Sequence, residues 1–444
     1  MARQLAIARN TALAAVEQLN AEGYLETRRG AGTRVAAQIS AELTGVARHG
    51  RAGSPCTPRL SRAGKGLACV ARGMTGGEMP RAFLPGIPDL GSFPSALWGR
   101  LLRRAARQAR PDALAYGHVA GLPELRRALC DHLRAVRGVH ATAEQIIVTS
   151  SAQAALDLIV RALVDPGDRV WLEEPGYPGA RAAFLGAGGA IVPVPVDGEG
   201  LNPALARGAG AARLIYLTPS HQYPTGTLMP LARRLEVLEF AERSDALVIE
   251  DDYDSEFQFQ GRPVAALQGL DAGGRVIYVG TFSKVLQPGI RVGYAVVPAA
   301  IADTIARMQR NTGQSVPAAV QGALAAFIEE GHLRAHVRRM CALYRERQQL
   351  LAELLARHCR GRLRADVPAG GMQLAAAFLE EMDDRKIAQA LAARGVGARP
   401  LSGFYLGPAR RSGLFLGFAA YDRGEMEAGV REIAAVLDAR KVMA

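Results

Sequence analysis

The sequence has few cysteines and no long apolar run. Its 444 residues include 5 cysteines, which form no CxxC pair. An odd, scattered set of this kind argues against a disulfide framework or a zinc site and favours reduced thiols in the cytoplasm. No apolar stretch approaches the ~20 residues of a membrane helix, and the first residues lack the apolar block of a signal peptide. These absences argue against a membrane protein or a disulfide-rich secreted protein and predict a cytoplasmic protein without a bound metal.

Positive charge is concentrated near the N-terminus. The formal net charge is +12, and residues 1–80 contain 11 lysines and arginines against 5 aspartates and glutamates. Half of the excess therefore lies in less than a fifth of the chain. A basic segment of this kind favours a polyanionic partner, although an arginine-rich composition shared by a whole genome would give the same count.

The chain is too long for one ordinary core and divides into four predicted parts. The parts are residues 1–36, 37–80, 81–330 and 331–444. The first contains a helix and two short strands, and the second is rich in Gly, Ser, Pro and Arg, which predicts a linker. The third alternates apolar strands with helices, the pattern of a mainly parallel, doubly wound α/β sheet. The fourth begins with a long amphipathic helix and continues as a small α+β domain.

Four predicted strands of the third part run directly into polar residues. The strands cover residues 145–149, 214–218, 246–249 and 276–279. Because a parallel α/β sheet places its ligands beyond the carboxyl ends of its strands, we expect the residues that follow to form one site. They offer a lysine, carboxylates, tyrosines and a helix N-terminus. These groups suit the aldehyde, ring nitrogen, phenolic oxygen and phosphate of pyridoxal 5′-phosphate (PLP).

Residues 82–440 resemble the fold-type I PLP-dependent aminotransferases. In that family the lysine that binds the aldehyde follows a strand and a Ser/Thr-rich turn, with an arginine shortly after it, and Lys284 and Arg291 match this pattern. By the same resemblance Asp251 would pair with the ring nitrogen, and Tyr253 would donate to the phenolic oxygen. The other matches are the ring-stacking Tyr177, the phosphate ligands Ala152, Gln153 and Thr281, Tyr223 in place of the family's asparagine, and Tyr116, which would reach the phosphate of the other subunit in a homodimer.

Several of these residues also have structural interpretations. Asp251 could cap a helix, Tyr177 could fill the core, and Arg291 could form a surface ion pair. His221 lies beside the predicted site, where a structural hydrogen bond and a chemical role are equally compatible with the sequence.

The N-terminal part resembles the recognition helix and wing of a GntR-type winged helix-turn-helix. A helix predicted at residues 10–22 is followed by strands at 24–27 and 33–36. The resemblance implies DNA contacts by Arg9, Asn10 and Thr11 at the start of the helix and by Arg28, Arg29 and Thr33 on the wing. The alternative is a docking helix with a hairpin. Because such modules normally begin with further helices, we expect a partial module, with either an upstream start codon or weakened DNA binding.

A winged helix joined by a linker to an aminotransferase-like domain is the organisation of the MocR/GabR-type regulators. Where aminotransferases place the arginine that binds the substrate carboxylate, this chain has Phe415, and Arg399 is a candidate replacement. Two functions stay open. One is a PLP-binding transcriptional regulator that senses PLP or an amine or amino-acid effector, which the N-terminal part favours. The other is a PLP-dependent aminotransferase with an unusual amine or amino-acid substrate. A domain with neither activity is a third alternative.

Overall fold

The computed structural model describes residues 2, 6–28, 32–36, 59–70, 80–115, 117–206, 210–261 and 264–441. These residues belong to two compact units, Met1–Arg59 and Leu60–Ala444. The predicted site residues Arg29 and Tyr116 lie outside the described residues, as do residues 37–58 and 71–79 of the predicted linker.

The first unit is a helix followed by a two-stranded hairpin. The helix is α1 (Arg9–Ala21), and the strands are β1 (Leu25–Arg28) and β2 (Gly32–Val35). The strands are antiparallel, with Leu25 opposite Val35 and Arg28 opposite Gly32. The helix ends before Gly23, whose N–H donates to the carbonyl of Asn20 at 3.1 Å. The predicted helix and hairpin therefore form, with bounds that differ from the prediction by about one residue.

The second unit alternates helices and strands, as predicted. Its helices are α2 (Arg62–Cys69), α3 (Ser95–Gln108), α4 (Pro111–Leu114), α5 (Pro123–Arg137), α6 (Ala152–Leu163), α7 (Pro178–Ala187), α8 (Leu231–Arg243), α9 (Leu267–Leu270), α10 (Phe282–Val285), α11 (Ala299–Asn311), α12 (Ala318–Glu329), α13 (His332–His358), α14 (Asp384–Ala392) and α15 (Arg423–Lys441). Four 3₁₀ turns cover Ala143–Gln145, Pro203–Ala206, Pro288–Ile290 and Leu401–Phe404. Its strands are β3 (Ile146–Thr149), β4 (Arg169–Glu174), β5 (Ala190–Asp197), β6 (Gly200–Leu201), β7 (Leu214–Leu217), β8 (Leu247–Asp252), β9 (Val276–Thr281), β10 (Gly293–Val296), β11 (Leu363–Asp366), β12 (Gln373–Phe378), β13 (Arg399–Pro400) and β14 (Gly413–Gly417).

The central sheet has eight strands in the order β3-β10-β9-β8-β7-β4-β5-β6. Strands β9, β8, β7, β4 and β5 run parallel to one another. Strand β10 is antiparallel to both β9 and β3, so β3 runs in the same direction as β9. The mainly parallel sheet predicted from the sequence is confirmed, with β10 as a reversed strand that makes it mixed. The carboxyl ends of β3, β7, β8 and β9 consequently meet at one edge.

A second, antiparallel sheet has the order β11-β12-β14-β13 and packs with α13, α14 and α15 around its own core. The long helix α13 agrees with the predicted amphipathic helix. The segment Ala82–Leu84 joins this core although it precedes the large sheet in sequence. Among the described residues, no helix is long and apolar enough to cross a membrane.

Helix α2 lies within the segment that the sequence predicts as a linker. The Oγ of Ser61 caps it by accepting from the N–H of Gly64 at 3.0 Å. Helix α2 packs on α7, where Leu67 lies against Gly186. With two glycines in eight residues, this helix has no periodic pattern long enough to distinguish it from a linker.

Candidate functional site

A cavity of about 1190 Å³ opens at the edge where the carboxyl ends of β3, β7, β8 and β9 meet. Its volume exceeds the ~300–1000 Å³ of ordinary small-molecule sites and is large enough for a cofactor together with a second small molecule. The predicted site residues that line it are Lys284, Asp251, Tyr253, Tyr177, Ala152, Gln153, Thr281, Arg291 and Tyr223. The structure therefore brings together every described residue of the predicted PLP site.

Lys284 follows β9 in the short helix α10. Its Nζ donates to the carbonyl of Gly86 at 2.7 Å. Gly86 has a φ of +79°, and a Cβ there would come within 2.8 Å of this Nζ. Only glycine combines this backbone conformation with the required space. The lysine amine is thereby held at the cavity wall.

Asp251 lies in β8 and is buried. Its Oδ2 accepts a hydrogen bond of 2.6 Å from the hydroxyl of Tyr216. Its Oδ1 is buried and has no hydrogen-bond partner among the described residues. Burial raises the pKa of Asp251 to about 7, although the Tyr216 hydroxyl and the charge of Lys284 oppose this. A buried acceptor without a donor is unfavourable. The protonated ring nitrogen of PLP is a donor that would satisfy Oδ1.

Three tyrosines surround the cavity next to Asp251. The ring of Tyr223 packs edge-on against those of Tyr177 and Tyr253, with centroids 5.3 and 5.9 Å apart. The hydroxyl of Tyr253 donates to the carbonyl of His221 at 3.0 Å. The His221 ring is buried, with its Nδ1 2.9 Å from Asp254 Oδ1. The His221 ring thus forms a structural hydrogen bond through Nδ1, while its buried Nε2 has no hydrogen-bond partner among the described residues.

The N-terminus of α6 faces the cavity at Ala152 and Gln153. Ser151 caps this helix through a hydrogen bond of 3.1 Å from the N–H of Ala154 to its Oγ. The first N–H groups of a helix have no partner within the helix and attract anions. Gly293 in β10 lies so close that a Cβ would meet the Ser151 carbonyl carbon at 2.5 Å and the Ala152 nitrogen at 2.6 Å. The reversed strand β10 therefore supports this turn.

Thr281 and Arg291 complete the same end of the cavity. Thr281 Oγ1 accepts from the N–H of Ser283 at 3.2 Å and caps α10. Arg291 has a left-handed backbone with φ of +55°. Arg291 forms no ion pair with any described residue. The alternative role of Arg291 in a surface ion pair is therefore not observed among these residues. An arginine beside a helix N-terminus is well suited to a phosphate.

The position of the aminotransferase carboxylate arginine is apolar here. Phe415 in β14 is only 1% exposed. Its ring packs edge-on against Tyr223 and Phe404, with centroids 5.1 and 5.4 Å apart. Arg399 in β13 pairs with Phe415 across the antiparallel strands and lines the cavity. Arg399 makes no ion pair within the described residues.

Sequence reasoning missed four residues around this site: Tyr216, Gly86, Glu173 and Gln373. Gln373 lines the cavity beside Tyr253. Glu173 is fully buried, and burial raises its pKa to about 7. Its Oε2 accepts from the Thr218 hydroxyl at 2.6 Å, and that hydroxyl oxygen accepts from the N–H of Tyr223 at 2.9 Å. The sequence signal for this support of the Tyr223 loop was a glutamate at the carboxyl end of the apolar run of β4.

The predicted DNA-contact residues of the first unit are exposed. Arg9, Asn10 and Thr11 form the first turn of α1. Arg28 ends β1 and Thr33 lies in β2, with the hydroxyls of Thr27 and Thr33 3.3 Å apart. The structure thus places the described members of the set on the helix start and the hairpin, as predicted.

Comparisons with known proteins agree with this architecture. The family model "Aminotransferase class I and II" matches residues 94–433. The chain is 43% identical over 433 residues to the probable rhizopine catabolism regulatory protein MocR of Rhizobium meliloti, covering 98% of this chain and 87% of that protein. It is 33% identical to the HTH-type pyridoxine biosynthesis transcriptional regulator PdxR of Corynebacterium glutamicum, covering 98% and 88%. Its fold is similar to the crystal structure of Pyrococcus horikoshii kynurenine aminotransferase, with a TM-score of 0.76 at 27% identity, covering 86% of this chain and 95% of that one.

The fold and the cavity define a protein with an aminotransferase domain of fold-type I. The chain belongs to the MocR/GabR-type transcriptional regulators of the GntR family, whose second domain has this fold. The predicted cofactor, PLP, and the predicted kind of protein are confirmed by this membership.

Proposed function

We propose that the chain is a PLP-dependent transcriptional regulator whose second unit binds an amino acid and whose first unit binds DNA. The observation that carries this proposal is that all the described residues of the predicted PLP site line one cavity, while the carboxylate site is replaced. The groups for PLP line one cavity, whereas Phe415 is buried among aromatic rings. Such a site retains the cofactor and has lost the arrangement with which aminotransferases hold their substrates.

The residues of the cavity fit PLP. The buried Oδ1 of Asp251 would accept from the ring nitrogen, and the Tyr216 hydroxyl fixes the orientation of this carboxylate. The N-terminus of α6, Thr281 and Arg291 would hold the phosphate, and Tyr177 would cover the ring. Tyr253 would donate to the phenolic oxygen in place of the His221 carbonyl, to which its hydroxyl donates in this structure. When bound, PLP supplies an aldehyde that reacts with primary amines, and Lys284 is the lysine among the residues that line the cavity.

The effector that we propose has both an amine and a carboxylate. Arg399 presents a guanidinium at the cavity wall and has no ion pair within the described residues. Guanidinium binds carboxylate through two parallel hydrogen bonds, and hydrogen bonds to charged groups contribute ~1.5–3 kcal/mol. Arg399 is therefore the effector's carboxylate partner in this proposal, at a position next to the one that Phe415 occupies.

The proposed DNA-binding surface consists of Arg9, Asn10 and Thr11 on α1 with Arg28 and Thr33 on the hairpin. Arg29, outside the described residues, is a further predicted member. The five described residues are exposed and therefore accessible to a groove and to phosphates. The proposal includes a homodimer, because Tyr116 by resemblance completes the phosphate site of the other subunit.

One set of assays tests this function on the whole chain. With PLP added, we expect visible absorbance from the lysine-bound cofactor, its loss in Lys284→Ala, and slow amino transfer to keto acids.

A DNA duplex from the region upstream of the gene for this protein should bind to the chain. Arg9→Ala should weaken DNA binding by ~1–3 kcal/mol if this side chain contacts a base. The exposed Arg360 provides the control substitution Arg360→Ala. Rapid amino transfer without DNA binding would contradict the proposal and favour an aminotransferase.

The effector class is tested by titrating amino acids and the corresponding amines that lack the carboxylate. Binding is followed by the change in PLP absorbance. We expect the amino acids to bind at least about tenfold more tightly, an advantage that Arg399→Ala removes and Arg399→Lys partly keeps. Equal affinities for both series in the unmodified chain would show that the effector is recognised as an amine alone.

A further inference from the structure

Helix α3 in the second unit is amphipathic and firmly anchored. Its buried side carries Trp98 and Leu101. The Trp98 ring packs edge-on against Phe93 and Phe327, with centroids 6.0 and 6.1 Å apart. These contacts fix the rotation of the helix, so that its opposite side is presented to the surface in one orientation.

The outer side of α3 carries four exposed arginines, which we call the arginine face: Arg100, Arg103, Arg104 and Arg107. Because residues three and four apart are neighbours on a helix, all four lie on one side. At 1.5 Å per residue, the face extends over about 10 Å along the helix. Like charges at this spacing repel one another, so the face is unfavourable in the absence of an anionic partner.

Most of this charge has no partner within the described part of the chain. Arg104 forms an ion pair with Glu330. Arg100, Arg103 and Arg107 form neither an ion pair nor a hydrogen bond with any described residue. Together with Gln108, the four arginines line a surface groove of about 350 Å³. The groove thus offers several guanidinium groups and an amide to a ligand that has negative charges at regular intervals.

We propose that the arginine face binds the DNA backbone as a second, sequence-independent contact outside the first unit. The inference rests on the proposed function, in which the chain binds DNA. A DNA strand carries one phosphate per ~3.4 Å of helix axis, so a face about 10 Å long matches roughly three successive phosphates. Guanidinium groups bind phosphates through paired hydrogen bonds, and contacts of this kind position a protein on DNA without selecting a sequence.

The test compares two triple variants of the full chain loaded with PLP. In Arg100→Ala/Arg103→Ala/Arg107→Ala, Arg104 keeps its pairing with Glu330. The control, Arg310→Ala/Arg338→Ala/Arg360→Ala, removes the same charge from three exposed arginines on other parts of the surface, none of which forms an ion pair with a described residue. Binding of a labelled, mixed-sequence DNA duplex is measured by fluorescence anisotropy over a range of salt concentrations.

We expect the arginine-face variant to bind roughly tenfold or more weakly at low salt. A plot of log affinity against log salt concentration should become less steep by about 2.7, the value for three lost phosphate contacts. The control should remain within about twofold of the unmodified chain. Equal losses in both variants would mean that only net charge matters and would overturn the inference, as would an unchanged affinity in the arginine-face variant.

Two further measurements separate the alternatives. If light scattering shows a changed oligomeric state in the arginine-face variant, the face is a subunit interface and the inference is wrong. It is also wrong if the variant loses binding to polyglutamate but keeps its affinity for DNA, because the partner is then an acidic protein.

The failure of this inference differs from that of the proposed function. An Arg9→Ala/Arg28→Ala variant that loses DNA binding, beside an arginine-face variant that keeps it, refutes only the second contact. An unmodified chain that binds no DNA refutes both.

Discussion

At the scale of single residues, Asp251 has two carboxylate oxygens in different environments. Tyr216 donates to Oδ2, whereas Oδ1 is buried without a donor. Burial makes the charged form unfavourable and raises the pKa of this carboxyl to about 7. At pH values between its ordinary pKa of 3.8 and about 7, this carboxyl therefore keeps its proton in the free protein. Binding of a protonated ring nitrogen would favour the charged form instead.

This difference predicts a pH dependence for the protein without PLP. Between pH 3.8 and about 7, the Asp251 carboxyl has lost its proton in the unfolded protein but keeps it in the folded protein. The contribution of Asp251 to the free energy of unfolding should therefore be highest at acidic pH and fall as pH rises towards 7. Asp251→Asn should remove its share of this decrease, on the order of 4 kcal/mol, and weaken PLP binding. Urea unfolding at several pH values measures the first effect, and absorbance titration measures the second.

Asp303 provides the matched control because it is exposed and has no ion pair within the described residues. Asp303→Asn should leave the pH slope unchanged. Glu173, whose pKa burial also raises to about 7, remains in both variants and contributes in the same direction. If Asp251→Asn has the same pH slope as the unmodified protein, Asp251 is not the titrating group.

Individual site residues were predictable where they lie at or just after the carboxyl end of a strand, as Asp251 and Lys284 do. Their partners were not. The Tyr216 hydroxyl reaches Asp251 because β7 and β8 are neighbours in the sheet, an order that the sequence does not reveal. Gly86 meets Lys284 across 198 positions of chain. Contacts of these kinds depend on tertiary structure and have no local sequence pattern.

At the scale of elements, β10 and the start of α6 form one structural unit. Gly293 brings β10 against the backbone of Ser151 and Ala152. Because both contacts are with backbone atoms, an added methyl group must displace the turn that we propose as the phosphate site.

Gly293→Ala should therefore weaken PLP binding by about tenfold and cost ~1–3 kcal/mol of stability. Gly289→Ala is the control, since a Cβ at Gly289 has no neighbouring heavy atom within 4 Å. Absorbance titration with PLP and urea unfolding measure the two effects. Equal PLP affinities for the two variants would show that the turn does not hold the phosphate.

The elements that the sequence predicted best are long and periodic. The sequence predicts helices at residues 152–163 and 231–243, and α6 and α8 have these bounds. Strand β5 was missed, since Pro193 and Pro195 interrupt its apolar run and prolines usually argue against a strand inside a sheet. The short strands of the second sheet were predicted only as part of an α+β segment, because four or five residues carry too little periodicity.

At the scale of the whole molecule, the proposed homodimer has a direct consequence for the cofactor. If Tyr116 reaches the phosphate of the other subunit, each PLP site is complete only in the dimer. Light scattering should therefore show a dimer, and dilution to monomers should release PLP. Tyr116→Phe should weaken PLP binding severalfold and leave the dimer intact. A monomer with full PLP affinity would contradict this prediction.

The aromatic cluster around Phe415 also limits which sequences can be reached from this one by mutation. Phe415→Arg would place a guanidinium at a position that is now 1% exposed, between the rings of Tyr223 and Phe404. An unpaired charge in such surroundings costs several kcal/mol. Phe415→Arg alone should therefore destabilise the protein without creating a carboxylate-binding site. A stepwise route to aminotransferase-like recognition must first reduce or open the neighbouring rings, which makes the present site robust against accidental change.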